Sequence, residues 1–325
     1  MKRLSRRMML KTVGAGAALV AASPWTRLLK AEPASAAAGK RILFFTRSQD
    51  FPHAAVTPAR GETLGFGEKL LKMWGEQAGY AVDISKDGTI FTPERIAATD
   101  VFVFYTTGDL TQPAGTRFKG SDTTPAMTPE AKAALLKAIA DGKGFVGIHS
   151  ATDTFHSKTH DRVVRSASGN EVDPYIAMLG GEFLGHGSQQ MADIRVVDGG
   201  APLASDLKNF QMNEEWYSLV NLAPDLHVIL VQETGSMKKN AAGKREWQYQ
   251  RAPYPETWAR QHARGRVFYT SMGHRQDVWE SDIFQKVLMG GIAWAAGNGP
   301  AVQGNLAEAC PGLEQRSPTS APSPR

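Results

Sequence analysis

Gly144-Phe-Val-Gly-Ile-His149-Ser150-Ala-Thr-Asp153 is a short apolar run that ends abruptly in an imidazole, hydroxyls and a carboxylate. It reads as a buried strand whose carboxyl end carries chemistry. Just upstream, Thr128-Pro129-Glu130 has the form of a helix start, Leu135, Ala138 and Ile139 share one helical face, and Gly142 suits a left-handed cap. A strand that follows such a helix predicts a parallel α/β sheet. Ligands of open sheets of this kind collect outside the carboxyl ends of the strands. His149, Ser150 and Asp153 therefore become site candidates.

Working outward, Arg41-Ile-Leu-Phe-Phe-Thr46, Ala81-Val-Asp-Ile-Ser85 and Val101-Phe-Val-Phe-Tyr105 are further strand-like runs. Helical patterns fall at 64–78, after Thr92-Pro93-Glu94, and at 129–141. The resulting βαβαβαβ order favours a doubly wound, mostly parallel sheet with helices on both faces. The second half is richer in strands, at Asp193-Ile-Arg-Val-Val197, His227-Val-Ile-Leu-Val231, Thr257-Trp-Ala-Arg260 and Arg266-Val-Phe-Tyr-Thr-Ser271. It closes with a helix over 283–296, where Phe284, Val287, Leu288, Gly291 and Ile292 have the spacing of a face packed on the sheet. No linker or repeat divides these elements, so residues 39–299 are read as one domain. Loops at 108–126 and 156–173 are long enough to act as lids or binding surfaces.

The two ends read differently from the middle. Ser5-Arg6-Arg7-Met8-Met9-Leu10-Lys11 is a twin-arginine pattern, followed by a mild apolar run from Val13 to Ala22 that is too short to span a bilayer. Residues 1–38 are expected to be a Tat export signal, giving a periplasmic or otherwise extracytoplasmic protein with no integral membrane span in the mature chain. The chain has 37 basic and 32 acidic residues, but its first 36 positions hold seven of the basic ones and one of the acidic. The remainder is close to neutral, which argues against a nucleic-acid partner. Cys310 is the only cysteine, so no intramolecular disulfide exists. It sits in a Pro/Ser-rich stretch, 300–325, expected to be a disordered tail.

Several ordered blocks resemble the ThuA-like (trehalose-utilisation) family. They are Phe51-Pro-His53, Thr107-Gly-Asp109-Leu, the run from Gly144 to Asp153, Leu179-Gly-Gly-Glu-Phe-Leu-Gly-His186, Glu214-Glu215-Trp-Tyr217, Arg266-Val-Phe-Tyr-Thr-Ser-Met-Gly273-His274, and Ile292-Ala-Trp294-Ala. The resemblance implies a flavodoxin-like α/β sandwich of the class I glutamine amidotransferase type. In those amidotransferases the strand corresponding to 144–148 leads into an elbow bearing a nucleophilic cysteine, and here His149 holds that place. An imidazole does not replace a thiolate in stable acyl transfer, so amidotransferase activity is not expected. Gly147-Ile-His149-Ser150-Ala151 is also out of register with a Gly-x-Ser-x-Gly elbow, which disfavours a serine hydrolase.

The resemblance implies that His53, His149, His186 and His274 approach one cleft, with Asp109, Asp153 and Glu215 nearby. Catalytic roles are expected for His149, Asp153, His274 and Glu215, and substrate contacts for His53, Asp109, Ser150, Trp216 and Tyr217. His149, His186 and His274 are the candidate ligands of one divalent ion, Zn or Mn. Imidazoles and carboxylates serve equally as general acids and bases near neutral pH, and the sequence leaves that choice open. Each residue also has a plainer role, as a turn, cap or loop residue. Trp74, Trp258, Trp279 and Trp294 read as core, and His156, His160, His227 and His262 as surface or strand residues. The expected function, by resemblance, is an exported enzyme acting on a sugar or keto-sugar derivative, a disaccharide or glycoside. The alternative is a non-catalytic carbohydrate-binding or accessory protein. The oligomeric state has no signal in the sequence.

Overall fold

The computed structural model describes residues 39–157, 172–200, 202–204 and 206–313. The export-signal reading, His160 and the chain beyond 313 lie outside the described residues. Five strands run parallel in the order β2 (Ala81–Ser85), β1 (Arg41–Phe45), β3 (Val101–Phe104), β4 (Gly144–Ile148), β11 (Gly265–Thr270). β10 (Tyr254–His262), β9 (His227–Glu233), β6 (Gln190–Val196) and β7 (Phe210–Glu214) extend the sheet antiparallel, giving nine strands. This is the expected α/β sandwich with a mostly parallel central sheet.

Both faces of the parallel half are covered, so its strands are continuously apolar, as two-sided burial requires. Ile42, Phe44, Val101, Val103, Val146 and Ile148 point to one face. There they meet Leu71 and Trp74 of α1 (Phe66–Gln77) and Phe284, Val287, Leu288 and Ile292 of α6 (Asp282–Ala295). The alternate residues Leu43, Phe45, Phe102, Phe104 and Phe145 meet Ile96 of α2 (Pro93–Ala98), Leu135 and Ile139 of α3 (Pro129–Ala140), and α4 (Pro174–Leu179). Thr92 and Thr128 cap α2 and α3 by accepting the backbone N–H groups of Arg95 and Ala131, with proline at the first helical turn.

Two findings depart from the sequence reading and one refines it. β7, and the two-stranded sheet of β5 (Glu182–His186) and β8 (Tyr217–Val220), have no counterpart among the predicted strands. The loop at 108–126 lines the cavity, as a binding surface would, and is stitched to the end of β1. The buried Arg47 guanidinium donates to the carbonyls of Leu110, Gln112 and Thr124, and Asp122 accepts the Ser48 N–H. The ordered chain also continues past 299. Asn305 bonds both backbone groups of Val228, and α7 (Leu306–Ala309) and Cys310 bury against the sheet. The apolar residues Leu306, Ala309 and Cys310 fill that face, which the surrounding proline and serine content conceals.

Candidate metal centre

β4 and β11 are parallel neighbours with Ile148 opposite Thr270, so their carboxyl ends place His149 beside Ser271. His149 turns out of the strand with φ 45, a left-handed conformation that is uncommon outside glycine and costs on the order of 1 kcal/mol. Its Nδ1–H donates to the Ser271 carbonyl at 2.7 Å, which fixes the tautomer and leaves the Nε2 lone pair facing inward. His274 follows two residues after Met272, Glu215 lies between β7 and β8, and His53 comes from the loop after β1.

These four side chains converge. Ligand atoms of His53, His149, Glu215 and His274 all lie within 4.8 Å of one another. The Glu215 Oε2 is 3.0 Å from His274 Nδ1 and 3.5 Å from His149 Nε2, and the two ring nitrogens are 3.3 Å apart. With His149 Nδ1 already donating, His274 Nδ1 is the one atom of these three able to supply a proton between neutral rings. A tetrahedral ion with ligands at about 2.0–2.1 Å has ligand-to-ligand edges of roughly 3.3–3.4 Å, close to this triangle. The buried Nδ1 of His53 has no hydrogen-bond partner. Such an orphan is costly unless something binds it.

Electrostatics point the same way. Burial, then the neighbouring His149 and His274, hold the His53 imidazole well below its usual range. Burial also lowers His149, against the opposing pull of Glu215. Burial pushes Glu215 up, but the close approaches of His149 and His274 outweigh it and hold its carboxyl well below the usual range. The unprotonated imidazoles that burial favours at His53 and His149, beside the Glu215 carboxylate, are a donor set that a divalent ion can use.

A cavity of about 780 Å³ opens over His53 and Glu215. Tyr217 lines it and packs its ring on His149 at 4.1 Å between centroids. At the mouth, the exposed Phe51 meets Phe118 edge to face at 5.2 Å, with the Arg117 guanidinium over the Phe118 ring. On the wall, the His156 ring sits between two carboxylates, Nε2 2.5 Å from Asp153 Oδ1 and Nδ1 3.2 Å from Glu182 Oε1.

The expected site residues separate into distinct groups. His149, His274 and Glu215 come together with His53, which belongs to the ligand group and not only to the cavity wall. His186 stays outside the four, with its Nδ1 3.4 Å from the other Glu215 oxygen, Oε1. Asp153 lines the cavity but pairs with His156, and Asp109 lines it while capping Thr111. Ser150 and Trp216 are fully buried and do not line the cavity, which corrects their expected substrate contacts. Ser150 points inward at the start of a tight turn, and the Trp216 indole donates to the Gln190 carbonyl in the core. His156, read as a surface or strand residue, is half-buried on the cavity wall. Phe118, Arg117 and the His156–Glu182 pair escape the sequence reading, because nothing in their spacing separates them from loop and strand residues.

The model of the family described as ThuA, trehalose utilisation, matches residues 41–295. The chain belongs to the ThuA family. Two crystal structures of ThuA-like proteins resemble this ThuA-family chain at fold level. The one from Bacteroides uniformis ATCC 8492 has 17% identity and a TM-score of 0.57, covering 79% of this chain and 91% of its own. The one from Parabacteroides merdae ATCC 43184 has 16% identity and a TM-score of 0.53, covering 80% and 90%. Comparison with curated proteins gives no significant match. The only cysteine of this ThuA-family chain, Cys310, is buried against the sheet and does not line the cavity. The thiolate of amidotransferase chemistry is therefore missing from it. Among the described residues, no helix is long and apolar enough to cross a membrane.

Proposed function

We propose that this chain is an exported, metal-dependent enzyme acting on a neutral sugar or keto-sugar derivative, a disaccharide or glycoside. The single observation that carries the proposal is the convergence of His53, His149, Glu215 and His274, two of which, His53 and Glu215, line the cavity. Three imidazoles and one carboxylate suit Zn better than a harder ion.

When bound, the ion supplies Lewis acidity to a substrate oxygen or to water. The protein's part follows from its own atoms. His149, locked by the Ser271 carbonyl, offers a fixed lone pair, and Glu215 offers charge through Oε2. His186 lines the cavity from an exposed position with its Nδ1 on the Gly187 carbonyl and 3.4 Å from the second Glu215 oxygen, where it can contact a bound substrate. Asp109 and Asp50 on the wall accept hydroxyl hydrogens, and Phe51 with Phe118 presents an apolar surface to a ring. That combination of acceptors and aromatic faces supports a polyhydroxy substrate, in keeping with the family's description.

The test is elemental analysis of untagged protein, together with mass detection of products from plain and oxidised disaccharides. About one divalent ion per chain and a chelator-sensitive product are expected. Absence of the ion with chelator-insensitive turnover removes the metal, and sugar binding without turnover favours the accessory reading. Export rests on Ser5-Arg6-Arg7. The double substitution Arg6→Lys and Arg7→Lys retains the protein in the cytoplasm if Tat carries it, and continued delivery outside refutes that route.

A further inference from the structure

Two carboxylates lie beneath the centre without reaching the cavity. Glu214 and Glu256 are buried, neither lines the cavity, and among the described residues neither lies within ion-pair distance of a lysine or arginine. Burying a carboxylate this way is costly unless backbone and hydroxyl donors compensate it. Here the donors belong to the segments that carry the ligands.

Glu214 Oε1 accepts the N–H of Glu215 at 2.8 Å, and its Oε2 accepts the N–H of Gly273 at 3.2 Å. One side chain thus ties the backbone of Glu215 to that of Gly273, the residue just before His274. Glu256 Oε1 accepts from the Ser271 hydroxyl at 3.1 Å, the Met272 N–H at 3.1 Å and the Thr270 hydroxyl at 3.2 Å. Ser271 is the residue whose carbonyl receives His149 Nδ1–H.

We propose that Glu214 and Glu256 are positioning residues: Glu214 sets the spacing of Glu215 and His274, and Glu256, through Ser271, sets the ring of His149. The proposal rests on the metal-centre reading for its affinity readout and on geometry alone for its spectroscopic one. Outer groups that orient ligands in this way change metal affinity by about 10–100-fold when removed.

The full chain is compared with its Glu214→Gln and Glu256→Gln variants by competition titration of Zn²⁺ against a chromophoric chelator, with circular dichroism as the check on folding. Folded variants binding Zn²⁺ about 10–100-fold more weakly are expected. Folded variants that bind as tightly as the parent overturn the proposal. Long-range ¹H–¹⁵N spectra of the metal-free proteins give a reading that needs no metal. The parent shows the Nδ1–H tautomer at His149 and Glu256→Gln shows a mixture, whereas an unchanged tautomer counts against Glu256. If the parent binds no Zn²⁺, the metal reading falls, the tautomer result still decides the role of Glu256, and hydrogen exchange at the Gly273 amide decides that of Glu214: faster exchange in folded Glu214→Gln supports the tether and an unchanged rate refutes it. If neither variant folds, the amides of Met272 and Gly273 in the parent decide. Slow exchange supports the tether, and exchange at the rate of exposed loops refutes it.

Discussion

The Nδ1–H of His149 donates to the carbonyl oxygen of Ser271, 122 positions later in the chain, at 2.7 Å. The contact exists because β4 and β11 are parallel neighbours that end in register. It converts a strand pairing into a choice of tautomer, and so into a lone pair aimed at Glu215 and His274.

Replacing His149 by asparagine keeps a residue type that tolerates positive φ while removing the imidazole. Metal affinity is expected to fall by more than about 100-fold, beyond the loss typical of outer groups. Elemental analysis after dialysis checks this. Full metal content in a folded His149→Asn protein excludes His149 from the ligand set.

The His156 pair sets a pH dependence of stability. Burial works to lower the His156 imidazole, but its hydrogen bonds with Asp153 and Glu182 outweigh this and raise it to about 9. Its contribution is fully present below the unfolded value of about 6.5 and is lost as pH rises through about 9. Burial works to raise Glu182, and the hydrogen bonds from His156, Ser157 and Asn221 bring it down to about 2. Its contribution is present above about 4.5 and is lost as pH falls through about 2. Denaturant melts of the parent and His156→Gln should show the parent's advantage shrinking by roughly 2–3 kcal/mol between pH 6 and pH 10. An advantage that stays constant with pH contradicts the pairing.

Phe118→Ala removes half of the edge-to-face pair at the cavity mouth and the seat of the Arg117 guanidinium. An aromatic contact of this kind is worth about 0.5–1.5 kcal/mol. The Kd for a saccharide ligand is expected to rise about 2–10-fold, read by calorimetry, while metal content stays unchanged. Unchanged sugar affinity removes the mouth from the binding surface.

Burial pushes the Cys310 thiol up to about 12, and the residue is 1% exposed. Iodoacetamide should leave Cys310 unmodified in the native protein and alkylate it in denaturant, as mass spectrometry can show. Rapid alkylation under native conditions contradicts the packing of α7.

Much of the fold is legible because two-sided burial leaves a plain trace. Val101–Phe104 is apolar at every position, and both of its faces are covered. Thr128-Pro129-Glu130 declares its helix by capping chemistry that acts within one turn. β5 and β8 are less legible, since Glu182 is buried by contacts with His156, Ser157 and Asn221 rather than by apolar periodicity.

The sequence by itself determined the parallel strands, the helices between them, and the residue types able to hold a metal or a proton, because these follow from local periodicity and side-chain chemistry. Only the tertiary structure decided that His53 joins the group while His186 stands outside it, that Ser150 and Trp216 face the core, and that His156 is clamped between two acids. Those outcomes depend on strand register and on where distant loops meet, distances that no local pattern encodes.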